Sequence, residues 1–194
     1  MVTSASSLLS VRRDANASTR DHIVRVAREL IQKRSYLGFS FQDIADAVGI
    51  RKASLYHHFA TKEALGIEVI HDATQAFKDW SGALVGTPQD KIAAYFQMYR
   101  KGLRAGQGMC PAGAMAPGWD CIDDALRQSV RELRSVQLLW LAGVMGGLRG
   151  KQAAAISPAA LFAACQGGLV AARMTGQAAD FDEAIAHLKG PLLG

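Results

Sequence analysis

The chain has 194 residues, nearly half of them apolar, with only five prolines; that length supports a sizeable core, and alanine and leucine without long alternating β-branched runs predict an all-α protein. Lys and Arg number 22 against 17 Asp and Glu; residues 1–60 hold nine basic and five acidic side chains and residues 61–194 thirteen and twelve, so the positive excess is N-terminal and suits a phosphate-bearing partner there. Three cysteines, Cys110, Cys121 and Cys165, are odd in number and far apart, which argues against a disulfide framework and fits a reducing cytoplasm.

Residues 1–17, rich in Ser and Ala with Arg12 and Arg13, read as a flexible arm. A first helix is predicted from Ser18 or Thr19, with Asp21 available for a capping box. Ile23, Val26, Ala27, Leu30 and Ile31 then form a helical stripe. Ser40 stands three residues before Asp43, a second capping-box pattern. Ile44, Ala45 and Val48 supply the buried side of that short helix, and Gly49 stops it, because glycine readily takes the left-handed conformation. Another short helix follows from about Lys52 to Phe59. Its Ala53, Leu55 and Phe59 are expected to face inward, leaving Arg51, Lys52, Ser54, Tyr56, His57 and His58 available. This pattern is a helix-turn-helix whose second helix fits a DNA major groove.

Thr61 caps a fourth helix that carries Leu65, Val69, Ala73, Phe77 and Trp80 on its apolar side, to about Leu84. After Gly86, Thr87 and Pro88 a fifth helix runs to about Arg104. The glycine-rich stretch from Gly106 to Gly118 reads as a loop with room for one short helix. A long helix is predicted over Ile122 to Leu148, another from Pro158 to Thr175, and a last one from Phe181 to Leu188. Residues 18–62 are thus a helix-turn-helix DNA-binding domain and residues 63–194 a helical domain. Gln152 to Ala172 carries no charge, but Ser157, Pro158, Gln166 and paired glycines favour a buried or dimer-forming helix over a membrane span. The N-terminus does not read as a signal peptide, so a cytoplasmic, membrane-free protein is expected. No phosphate loop, dinucleotide fingerprint or zinc-hydrolase motif occurs, and Asp123-Asp124 and Asp182-Glu183 read as helix starts; no enzyme, metal site or cofactor is expected.

The segment Gly38 to Leu65, GFSFQDIADAVGIRKASLYHHFATKEAL, closely resembles the TetR/AcrR family of bacterial transcription regulators. The likeness is strong over about residues 18–70 and rests on the IRKASLYHHF block, the Lys62 that follows and the Ile44-Ala45 pair. Gly108-Met109-Cys110-Pro111-Ala112-Gly113 also looks like the Gly-Cys-x-x-Gly stretch of one branch. The resemblance implies an all-helical homodimer that binds a palindromic double-stranded DNA operator, in most cases as a repressor, and is released by a small molecule in the C-terminal domain. It implies a dimer interface built from the last two long helices, here about 157–175 and 180–189, with Gly167, Gly168, Ala171 and Ala172 allowing close approach. The 122–148 helix is a further contributor.

On the matching positions, Ser40 caps its helix and can touch a phosphate, and Gln42 can reach a base edge. Arg51 and Lys52 stand where base edges lie closest. Ser54 can meet base or phosphate, Tyr56 and His57 backbone phosphates, and Lys62 a phosphate aided by its helix N-terminus. The effector pocket implied by the family is expected to draw on Tyr95, Phe96, Tyr99, Met109, Cys110, Met115, Trp119, Trp140 and Phe162, a wall suited to a small apolar or aromatic compound. Cys110 reads as a buried, inert thiol unless a neighbour lowers its pKa.

Overall fold

No glycine or proline precedes Gly38, so nothing in the covalent chain interrupts helix formation there. In the computed structural model, which describes residues 5–104, 106 and 108–194, with side chains from Thr19 onward, helix α1 runs from Ala5 to Arg34. The stretch expected as an arm therefore continues α1 from residue 5, while residues 1–4 lie outside the described part. A 3-10 turn, Tyr36–Gly38, leads to α2 (Phe41–Val48), α3 (Lys52–His58) and α4 (Lys62–Gly82). Then come α5 (Pro88–Arg104), α6 (Pro111–Met115), a 3-10 segment Ala116–Cys121, and α7 (Asp124–Met145). The chain ends in α8 (Lys151–Ala154), α9 (Pro158–Thr175), α10 (Ala179–Ala184) and α11 (Ala186–Leu193). The described residues contain no strand.

Local chemistry sets these boundaries. The capping box of α2 is complete: Ser40 Oγ accepts from Asp43 N, and Asp43 Oδ2 accepts from Ser40 N at 2.7 Å. Gly49 closes α2 at φ 78°, which a side chain disfavours. Thr61, Asp123 and Ser157 cap α4, α7 and α9 through their side-chain oxygens, each contributing about 1 kcal/mol. The predicted last helix is instead a pair, α10 and α11, divided at Ile185, and the short α8 fills what had read as a connection.

Two packed cores result. The first joins Ile23, Ala27 and Ile31 of α1 to Ile44, Leu55 and Phe59 of the helix-turn-helix. It runs on without a break into Leu65, Val69 and Ile70 of α4, Met115 of α6 and Leu126 of α7. The second joins Phe77, Tyr95 and Leu141 to Leu161, Cys165, Phe181 and Leu188. α4 packs chiefly on α7, and α10 folds back on α9. A Cβ at Gly168 would meet Phe181 Cδ2 at 2.8 Å, so that close approach requires glycine. Among the described residues no helix is long and apolar enough to cross a membrane, and α9 spends Leu161, Cys165, Leu169 and Ala172 inside the protomer.

Candidate functional site

The α2–α3 unit presents one polar face. Leu55 is fully buried and Phe59 nearly so, fixing α3 against the core. Arg51, the N-cap residue of α3, and Lys52, Ala53, Tyr56 and His57 are exposed. Ala53 thus faces solvent and not the core, because a seven-residue helix needs only Leu55 and the cap residue Phe59 to anchor it. Ser54 and His58 are half-buried. Tyr56 keeps half its surface exposed while its ring lies 5.2 Å from that of Phe41, which orients the hydroxyl outward from an apolar seat. Gln42 is exposed, and its amide donates to Asp46 at 2.7 Å on the same helix. Ser40 is exposed, with its hydroxyl shared between the cap and Asp43 Oδ2 at 2.6 Å. These hydrogen bonds from Ser40 hold the Asp43 carboxyl below its ordinary value. Six expected contact residues, Ser40, Gln42, Arg51, Lys52, Tyr56 and His57, are therefore exposed, and Ser54 is half-buried.

Lys62 is placed differently. Its ammonium donates to the backbone carbonyls of Tyr36 at 2.6 Å and Phe39 at 2.5 Å. It lies 4.5 and 4.1 Å from the centroids of those two rings. Burial pushes its pKa down. The residue ties the first turn of α4 to the turn between α1 and α2, so its charge is already engaged inside the headpiece. Two further pairs bind α1 to α4: Arg20 with Glu68 at 2.6 Å, and Arg28 with Asp72.

Two cavities of the C-terminal part take in the glycine-rich loop and, among the described residues, share only Met109. The first, about 350 Å³, lies between α1, α4, α5, α7 and α9, with Phe77, Trp80, Tyr99, Cys110, Leu133 and Gln137 among its walls. Gln137 Oε1 accepts from the Tyr95 and Tyr99 hydroxyls, both at 3.0 Å, and Gln166 Nε2 donates to Tyr99 at 3.2 Å. Burial raises both phenols far above their ordinary range. It also raises the Cys110 thiol, despite hydrogen bonds from the Gly113 and Ala112 backbone, and pushes Cys165 up to about 12. The second cavity, about 390 Å³, lies between α6, α7 and α9.

The expected single pocket is therefore divided. Tyr99, Met109 and Cys110 line the first cavity; Met109, Trp119 and Phe162 line the second. Tyr95 and Met115 are fully buried core residues and line neither. Phe96 borders a small surface depression against α10 and α11. Trp140 packs on Phe77, Trp80 and Tyr95, and its outer edge borders a groove near Pro88. Large aromatic side chains at helical spacing serve core and cavity alike, and only the packing separates them. Sequence reasoning missed Gln32, Gln137 and Gln166 as cavity residues; for Gln137 and Gln166 the signal was an amide beside an apolar run, whereas Gln32, followed by Lys33 and Arg34, carried none.

Gln32 also links the cavity to α1. It is buried in the wall of the first cavity and donates to the Met109 carbonyl at 3.1 Å. Its own backbone carbonyl accepts from Arg173 of α9 at 3.1 Å, and Lys33 O accepts from the same guanidinium at 2.5 Å. The last turn of α1, the cavity loop and α9 thus meet at one point. Among the described residues no group of three or more His, Cys, Asp or Glu side chains could hold a metal ion.

Residues 23–69 match a family model described as bacterial regulatory proteins, tetR family. The chain is 41% identical over 64 residues to the HTH-type transcriptional repressor KstR2 of Mycolicibacterium smegmatis, covering 33% of this chain and 29% of that protein. It is 28% identical over 83 residues to the HTH-type transcriptional repressor NemR of Escherichia coli, covering 41% of this chain and 42% of that protein. The matches thus span less than half the length of these relatives. A TetR family regulator from Agrobacterium tumefaciens superposes with a TM-score of 0.83 at 24% identity, covering 92% of this chain and 99% of that one. A TetR regulator from Legionella pneumophila superposes with a TM-score of 0.77 at 26% identity, covering 88% and 95%.

Proposed function

We propose that this chain, a member of the TetR family of bacterial transcriptional regulators, represses transcription by binding a palindromic operator as a dimer and lets go when a small molecule fills the first cavity. Family membership makes it a DNA-binding transcriptional regulator; the sign, the operator symmetry and the effector are our reading. The observation that carries it is the α3 surface, where Arg51, Lys52, Tyr56 and His57 stand exposed on a helix anchored from behind by Leu55 and Phe59. Arg51 and Lys52, at the start of α3, read base edges. Tyr56, His57 and Ser40 hold backbone phosphates, with Gln42 and Ser54 at the margin of the same surface.

The reading assigns dimerisation to a second copy packed on α9 and α7. Exposed Ala159, Ala163, Gly167, Val170 and Met174 recur along one side of α9. Met174 is 81% exposed and Leu139 of α7 74% exposed, large apolar surface for a monomer to leave in water. The helices after α9 contribute less than the resemblance implied, because Phe181, Ile185, Leu188 and Leu192 are spent in the protomer's own core. Two headpieces so spaced would read half-sites about one helical turn (~34 Å) apart or a multiple of it.

An effector in the first cavity meets Gln32, Tyr99 and Gln137 among apolar walls, which suits a small aromatic compound with a hydrogen-bonding group. Movement of Met109 or the Gln32 amide reaches the last turn of α1 directly, and Arg173 ties that turn to α9. The effector must prefer the non-binding geometry; a hundredfold preference supplies about 2.7 kcal/mol. The test is fluorescence anisotropy and footprinting on duplex DNA flanking the protein's own gene, with sedimentation on the same samples. Saturable, salt-sensitive binding with a two-fold symmetric footprint by a dimer supports the reading. A monomer, or no binding to any such duplex at low salt, overturns it.

A further inference from the structure

The second cavity has a mouth of different chemistry from the first. Trp119, Val130, Phe162 and Val170 make it apolar, and Arg131 and Arg134, one helical turn apart on α7, complete its lining. The Arg131 guanidinium lies 5.5 Å from the Trp119 ring centroid and Arg134 lies 5.8 Å from that of Phe162. Among the described residues neither arginine has a carboxylate within ion-pair distance, whereas Arg20, Arg28, Arg100 and Arg127 each do. Inside the same wall, Gln166 Oε1 is buried without a hydrogen-bond partner. Two uncompensated guanidiniums, held by aromatic faces at the rim of an apolar chamber, form a fork for a carboxylate whose apolar body goes inward.

We propose that this cavity is a ligand site for apolar monocarboxylates, separate from the cavity assigned to the effector above. The carboxylate bridges Arg131 and Arg134, and an aliphatic or aromatic body fills the space between Trp119, Phe162 and Val130. Gly167 and Val170 belong both to this lining and to the exposed side of α9, so the mouth borders the surface assigned to the second copy. The proposal concerns binding alone and stands whether or not the DNA-binding reading holds.

The experiment is isothermal titration of the full chain with decanoate and 2-naphthoate, each against its neutral primary amide. At least one acid is expected to bind ten times or more tighter than its amide. Arg131→Gln with Arg134→Gln should bring that acid down to the affinity of the amide; both side chains are exposed, so folding is retained and is verified by circular dichroism. Ala76→Phe, which crowds only the first cavity, should leave the acid's affinity within twofold. Equal affinity of acid and amide, no binding of either acid, an unaffected double variant, or loss of binding in Ala76→Phe overturns the proposal.

Discussion

In the headpiece, Leu55 of α3 is buried while Arg51 and Lys52 at its start are in solvent; in the C-terminal part, Gln137, Tyr95 and Tyr99 lie inside. Arg51 and Lys52 face outward while Leu55 closes the core behind them. Gln137 and Tyr99, by contrast, are nearly inaccessible and satisfy one another across 3.0 Å. The proposed function accordingly assigns the α3 surface to a large polyanion, met by projection, and the cavity region to a small molecule, met by enclosure. A polyanion needs donors that reach it; a small molecule needs polar groups already paid for in desolvation and oriented by their neighbours.

The sharpest way to break this comparison is to remove the projecting charges. Arg51→Ala with Lys52→Ala should lower operator affinity by about a hundredfold or more, taking ~1–3 kcal/mol for each base contact, and leave the thermal midpoint unchanged; retained binding in an anisotropy titration would remove α3 from the interface. Next in size is the anchor behind that surface. Leu55→Ala should cost about 2–5 kcal/mol in denaturant unfolding, because the site is fully buried. Lys62→Met comes third: loss of two charge-assisted hydrogen bonds to backbone carbonyls should destabilise the protein by about 1–3 kcal/mol. The slope of log affinity against log salt should stay at the wild-type value; a slope smaller by about one would return Lys62 to the phosphate backbone.

Smaller effects refine the picture. Tyr56→Phe keeps the contact with Phe41 and deletes only the hydroxyl, so operator binding should weaken by about 1 kcal/mol with no change in stability or oligomeric state. The smallest effect belongs to the partly exposed Arg20–Glu68 pair. Its hydrogen bond holds the Glu68 carboxyl below its ordinary 4.5, so its stabilisation is present above that pH and lost as pH falls through the lowered value. Glu68→Gln should cost no more than about 0.5 kcal/mol at neutral pH after screening and should flatten the acid limb of the stability profile, measured by unfolding midpoints across pH.

The headpiece was legible because its information is local. A capping box at Ser40, a stop at Gly49 and a stripe through Ile44 and Leu55 act within a few residues of one another, so spacing alone specifies the turn and the exposed side of α3 apart from Ala53. The boundary at residue 62 was less apparent, since Leu65, Val69 and Ile70 of α4 continue the headpiece core. α1 beginning at Ala5 and the division of the last helix at Ile185 also escaped the pattern, the first because Ser- and Ala-rich chain suits both arm and helix.

What the amino-acid order determined by itself was an all-helical protein with a basic helix-turn-helix; which side chains of α3 face outward needed the packing as well, since Ala53 is exposed and Ser54 and His58 are half-buried. Tertiary packing alone decided that Lys62 is a clasp inside the headpiece. It also decided that the aromatic residues of the second half divide between core, groove and two cavities, and that Gln32 joins one cavity to α1. The physical reason is range: caps and periodicity act through neighbours in the chain, whereas enclosure depends on side chains from α1, α4, α7 and α9 that meet only after folding.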